Sequence, residues 1–233
     1  MAVPARFTST RWSQVVAAGS GNDAARSAMA WLCERYWEPL RAHVRRRGFR
    51  DSDADDLTQE FLLAVVRGGV VERADRDRGR FRTFLLACLE HHLGHARERA
   101  AAAKRGGGVA HESLDLQTTE VDPTRGFDRD WAMALLARAK DRLAQSIADG
   151  EPTRRFHVLA RFLSTNGDAD TYTVAGNELG VDAGAVRVAV HRLRGDFATC
   201  LRAEIAETLA KPDQDAVDAE LRDLLAVLGE QTR

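Results

Sequence analysis

The chain has 233 residues, 44% hydrophobic and 30% charged, a balance that fits a soluble globular protein with one large domain or two small ones. Its net charge of −1 says nothing about partners, but residues 76–105 carry eight Arg/Lys against three acids (net +5) and residues 204–233 carry eight acids against three bases (net −5); one part is therefore expected to meet a polyanion and the tail is not. The three cysteines are far apart with no CxxC pair, the N-terminal MAVPARFTSTRW has no apolar signal core, and no run approaches the ~20 apolar residues of a membrane span, so the reading is a cytoplasmic protein without a disulfide framework, zinc knuckle or membrane anchor.

Along the chain nearly every long segment has helical period. Ala28, Trp31, Leu32, Tyr36, Leu40 and Val44 recur at three- and four-residue steps, which predicts an amphipathic helix, bent near Pro39 and ended by Gly48. Ser52 or Asp53 is placed to cap the next helix, with Leu57, Phe61, Leu62 and Val65 inward and Asp56, Gln59, Glu60 and Leu63 outward. A third helix follows from FRTFLLACLEHHLGHARERAAAAK, with Phe84, Leu85, Cys88 and Leu89 along one side. KRGGGVAHESLDLQTTEVDPTRG then reads as a linker. Helices resume in DRDWAMALLARAKDRLAQSIA and TRRFHVLARFLS. The tail after Pro212 predicts an acidic amphipathic helix, Ala216 to Leu228, with Glu220 outward and Leu225 inward. No strand alternation of useful length and no internal repeat is present, so the fold class is all-α: two helical domains, a flexible linker and a C-terminal helical extension.

YTVAGNELGVDAGAVRVAVHRLRG has the layout of a helix-turn-helix. Val174, Ala175 and Leu179 are expected to face inward, Gly180 to make the turn, Val181 to fill the gap and Asp182 to cap the second helix. Val186, Val190 and Leu193 repeat as a core stripe, which leaves Arg187, His191, Arg192 and Arg194 for the other face. Arginine there can bond guanine in the major groove or pair with phosphate. An ordinary helical hairpin with a solvated basic face is the plainer interpretation.

The third helix adds a second basic surface. RDRGRFRTF interleaves Arg80 and Arg82 with Phe81 and Phe84, and Arg97, Arg99, Lys104 and Arg105 follow. Cations neutralise phosphate and flanking aromatics stack on unpaired bases. Phe84 is in phase with the core; Phe81 is left for either role. His91 and His95 lie four apart, but no HExxH order or third ligand accompanies them, so a polar face that touches DNA is preferred to a metal site. No triad, P-loop or GxGxxG is present, so neither catalysis nor a cofactor is expected.

Together these segments resemble the extracytoplasmic-function (ECF) group of bacterial RNA polymerase sigma factors. WLCERYWEPLRAHVRRRGFRDSDADDLTQEFLLAVV is similar to regions 2.1 and 2.2 of that group, GRFRTFLLACLEHHLGHARERAAAAKRGGG to regions 2.3 and 2.4, and VAGNELGVDAGAVRVAVHRLR to the region 4.2 helix-turn-helix. The subset it looks most like has a C-terminal extension. The resemblance implies a region 2-like domain over 8–104, a linker over 105–128, a region 4-like domain over 129–203 and an acidic extension over 204–233. It implies that Asp53, Asp56, Gln59 and Glu60 dock on a basic clamp of the polymerase largest subunit, with the flap as a further polymerase contact. Arg80, Phe81, Arg82, His91, His95, Arg97 and Arg99 would melt and hold the minus-ten element. Ala183, Gly184, Arg187, His191, Arg192 and Arg194 would read the minus-thirty-five element. His91 departs from the asparagine many relatives carry, and Gly94 weakens a helix interior by ~1 kcal/mol relative to alanine.

The expected partners are therefore core RNA polymerase and promoter DNA, with an anti-sigma factor or a Ser/Thr kinase (acting on Thr58) as further candidates. A stand-alone helix-turn-helix regulator is the alternative; it would not need DADDLTQEF and would usually dimerise on a palindrome. For the tail, an additional stabilising helix and an autoinhibitory cover over basic DNA-reading residues are both open.

Overall fold

The computed structural model describes residues 22–67, 81–105, 123–147, 154–209 and 212–229. Among the described residues the structure is all-helical. The elements in order are α1 (Asn22–Arg46), α2 (Asp51–Arg67), α3 (Phe81–Arg105), α4 (Pro123–Ile147), α5 (Arg154–Ala160) with a 3-10 turn (Arg161–Leu163), α6 (Ala169–Leu179), α7 (Ala183–Thr208) and α8 (Gln214–Gly229). They divide into two compact units. One holds the described residues up to Ala134 and those from Ala206 on; the other is Leu135–Ile205.

The first unit is built by the apolar stripes. Ala28, Trp31, Leu32, Tyr36, Leu40 and Val44 on α1 are all buried, as periodicity predicts. The helix runs through Pro39 and closes at a Gly48 of positive φ. On α2 the buried set is Ala54, Thr58, Phe61, Leu62 and Val65. Leu57 is only half-buried, so the inward stripe lies one step round from the expected one. Ser52 and Asp53 fall inside the first turn of α2 rather than before it. An aromatic cluster joins α1 to α3: Phe81 meets Tyr36 edge-on at 5.4 Å and Trp31 at 6.3 Å.

Two boundaries differ from the sequence expectation. α4 starts at Pro123, inside the segment read as linker, where a proline suits the first helical position. The reason is Phe127: it extends the buried stripe of Trp131 and Leu135 one turn upstream and packs edge-on against His43 at 6.0 Å. The tail, in turn, is part of the first unit. Val217, Glu220 and Leu224 of α8 are buried, whereas Leu225 is 60% exposed. The expectation of Glu220 outward and Leu225 inward is therefore reversed. Arg82 causes this: its guanidinium is itself buried and draws Glu220 inward as its partner.

The second unit packs Leu143, Phe156, Val158, Leu159, Phe162, Ala175, Val186, Val190 and Leu193 into one core. Burying a side chain of this kind contributes roughly 1.5–3 kcal/mol. α6 and α7 are joined by a three-residue turn, Gly180 to Asp182. Gly180 sits at φ 69° and closes α6 by donating its N–H to the Gly176 carbonyl. Asp182 caps α7 by accepting from the Ala185 N–H at 2.9 Å. A further requirement was not read from the sequence: a Cβ at Gly176 would lie 2.6 Å from the Val181 carbonyl oxygen, so the turn folds onto a bare backbone. Val174 and Val181, expected to fill the core, are 56% and 43% exposed. Ala175 is buried as expected, and Gly176 takes the other inward position, where the turn leaves no room for a Cβ.

Candidate nucleic-acid and polymerase interface

The acids of α2 separate into two groups. Arg41 on α1 is paired with Asp55, and Arg45 with Asp51 at 2.6 Å. The basic run of α1 is thus largely paired inside the unit, since Arg46 pairs with Asp130 of α4 and Arg47, just past α1, with Glu90 of α3 at 2.7 Å. What remains on the surface is Asp53, Asp56, Gln59 and Glu60, all exposed. Asp56 has no cationic partner among the described residues. Glu60 faces α3, with Arg99 at 3.4 Å and His92 at 3.9 Å. Contacts between such exposed groups are worth little, about 0–1 kcal/mol, so the stripe is available to another molecule. Thr58, beneath it, is fully buried and donates its hydroxyl to the Ala54 carbonyl at 2.6 Å. It is therefore not a surface modification site, contrary to the expectation.

On α3 the predicted DNA-contacting residues do not form one surface. Arg80 lies outside the described residues. Phe81 is 5% exposed inside the aromatic cluster and cannot stack on a base. Phe84 is the less buried of the two, which inverts the expected order. Arg82 is also 5% exposed: it donates to Asp128 at 2.8 Å and to Glu220, and its guanidinium lies 4.7 Å from the Trp131 ring centre. It is a core ion-pair residue, not a phosphate contact. Arg97 is half-buried over Phe49 and donates to the Arg47 carbonyl at 2.9 Å, which ties α3 to the α1–α2 turn. His91, His95 and Arg99 are exposed. His91 and His95 meet edge-on at 4.4 Å, and His95 lies 3.3 Å from Glu98. Among the described residues no group of three His, Cys, Asp or Glu is arranged to hold a metal.

Two histidines of this unit are pushed below the ordinary imidazole value. For His43 the cause is burial, opposed in part by its 2.6 Å contact with Glu90. For His92 burial again dominates, with Glu60 acting in the opposite direction.

In the second unit, Gly184, Arg187, His191 and Arg192 are exposed along α7, and Ala183 is half-exposed at its start. They share the outer side of the helix that follows the turn, with Arg187 over the Tyr172 ring at 5.3 Å. Arg194 does not join them. Its guanidinium donates to the Phe162 carbonyl at 3.1 and 2.8 Å, to the Thr165 carbonyl at 3.0 Å and to Asn166 at 3.1 Å. It closes the carbonyl end of the 3-10 turn and is removed from the DNA-reading set. The three arginines missed as structural, Arg82, Arg97 and Arg194, carry no sequence mark that separates them from Arg99 and Arg187. Only the acids and carbonyls brought from elsewhere in the chain do so.

Residues 32–102, from within α1 to within α3, match the family model for sigma-70 region 2. No curated protein and no solved structure matches the chain. No described helix is long and apolar enough to cross a membrane. That similarity is to one region of the sigma-70 family sigma factors and covers the segment from α1 to α3.

Proposed function

We propose that the chain is an ECF-type sigma factor: a promoter-specificity subunit without enzymatic activity of its own. In this reading the first unit binds core RNA polymerase, and the helix-turn-helix of the second reads the minus-thirty-five element. The carrying observation is the region 2 match over residues 32–102, which contain an exposed stripe of Asp53, Asp56, Gln59 and Glu60. The stripe persists after α1 has neutralised the neighbouring acids, so its charge is available to a basic polymerase surface. His91, His95 and Arg99 are the residues of α3 that remain for melted DNA, since Phe81, Arg82 and Arg97 are engaged inside the unit. Ala183, Gly184, Arg187, His191 and Arg192 are the corresponding set on α7. An anti-sigma factor is a further partner class; a kinase would have to address a residue other than Thr58.

The test is co-purification with core polymerase followed by run-off transcription. Asp56→Arg is the cleaner reversal, because Glu60→Arg would also set a like charge against Arg99. Loss of core binding with the helices intact is expected for Asp56→Arg. Failure of the wild-type chain to bind core, with DNA binding retained, would instead support a stand-alone helix-turn-helix regulator.

A further inference from the structure

One exposed arginine of the second unit is set on a built platform. The Tyr172 and Phe162 rings stack face to face, 4.8 Å apart and 6° from parallel. Phe162 is in the core at 2% exposure, and its carbonyl is held by two bonds from Arg194. Gly167 makes room for the pair: a Cβ there would lie 2.6 Å from Phe162 Cε1 and 3.1 Å from Tyr172 Cε2. On the far side, the Arg187 guanidinium lies over the Tyr172 ring. Core, stacked tyrosine and arginine thus form one column that ends at an exposed guanidinium near the start of α7.

The start of a recognition helix is where base edges are contacted. Guanine presents O6 and N7 to the major groove, which a planar arginine fork meets with two parallel hydrogen bonds. A free arginine loses rotamer entropy on forming them; one already stacked on an aromatic face loses less. Arg187 is exposed, and no acidic side chain among the described residues pairs with it.

We propose that Tyr172 is a positioning residue for sequence readout: it presents Arg187 to a guanine of the element bound by the helix-turn-helix. This rests on the DNA-binding reading of that unit and adds the base read and the residue that orients its reader. The experiment uses the full chain assembled with core polymerase, challenged with a duplex library randomised at the minus-thirty-five position. The wild-type complex should select a site containing a guanine. Arg187→Ala should lose preference for that guanine by roughly tenfold, within the range a bidentate arginine–guanine pair supplies. Arg187→Lys should lose it too while keeping salt-dependent binding. Tyr172→Leu should reproduce most of that loss at this one position, and Tyr172→Phe, which keeps the ring, should restore it. If Tyr172→Leu retains the full guanine preference in a complex that still melts cooperatively, the platform role is wrong. If Tyr172→Leu does not fold, Tyr172→Phe decides: loss of the preference there would show that the hydroxyl rather than the ring matters and would overturn the proposal. Retention of the preference by Arg187→Ala would remove Arg187 as the reader. A wild-type complex that binds core yet selects no sequence would overturn the DNA-reading assignment itself, and the proposal with it.

Discussion

Glu220→Ala should be among the most destabilising single substitutions outside the apolar core. Glu220 is 2% exposed and Arg82 5%, so their ion pair is shielded from water. Removing one partner of a buried pair costs about 3–5 kcal/mol, because the other charge is left uncompensated in a medium of low polarity. Arg82 retains Asp128 at 2.8 Å and the Trp131 ring, so the expected cost is at the lower end, about 3 kcal/mol. For a domain of this size that lowers the melting midpoint by roughly 6–12 °C. Arg82→Leu should cost at least as much, since it removes the buried cation that Glu220 faces and the partner of Asp128. The double substitution Arg82→Leu/Glu220→Leu should return to within about 1 kcal/mol of the wild type, as buried pairs replaced by apolar groups often do; Asp128, 24% exposed, can turn to water. Urea titration of the four proteins gives the cycle directly. Single substitutions that cost under about 0.5 kcal/mol, or a double that equals their sum, would refute the buried-pair account.

Thr58→Val should change stability by no more than about 1 kcal/mol, since the hydroxyl serves a carbonyl already inside α2; Thr58→Glu should cost several kcal/mol by burying a charge, and thermal melts separate the two. Truncation before Pro212 should destabilise the first unit, as it removes Val217, Glu220 and Leu224 from the core; a denaturation curve identical to that of the full chain would show α8 to be dispensable. The depressed imidazole of His43 sets a pH window. Its folded form resists protonation, so the unfolded chain takes up more protons once the pH falls below about 6.5. Stability is therefore fully present above that value and declines as the pH drops towards the folded-state value. Glu90, Arg46 and Arg47 are the charges that face it, and His43→Gln should flatten this part of the profile in denaturant titrations from pH 7.5 to 5.

The apolar stripes made most of the fold legible. Trp31, Leu32, Tyr36 and Leu40 on α1, and Val186, Val190 and Leu193 on α7, lie where their spacing puts them, because a buried stripe must recur with the helix. Gly180 and Asp182 are legible for a similar reason: each meets a local backbone demand. The failures share the opposite property. Phe81, Arg82, Arg194 and Glu220 are placed by partners remote in sequence, about which helical period carries no information. The linker boundary failed because one aromatic, Phe127, was too short a signal to extend a helix across Gly126.

The charge asymmetry that first suggested a polyanion partner is partly an internal match. Arg82, within the basic segment, pairs with Glu220, within the acidic one; Glu207 of the same acidic segment accepts from the buried Arg35 at 2.6 Å. Net +5 over 76–105 therefore overstates what the segment can offer to phosphate. Arg82 and Arg97 are engaged, and on the described part of α3 the exposed guanidinium is that of Arg99. This distinction has a measurable form. Each phosphate neutralised on a single strand contributes about 0.7 to the slope of log K against log salt. In a complex with core polymerase on a pre-melted promoter fragment, Arg99→Ala should lower that slope by about one such step. Arg82→Leu/Glu220→Leu, which removes equal and opposite buried charges, should leave it unchanged. A slope that falls with the double substitution and not with Arg99→Ala would mean that Arg82 leaves its buried pair to reach DNA, and that the tail helix must release it.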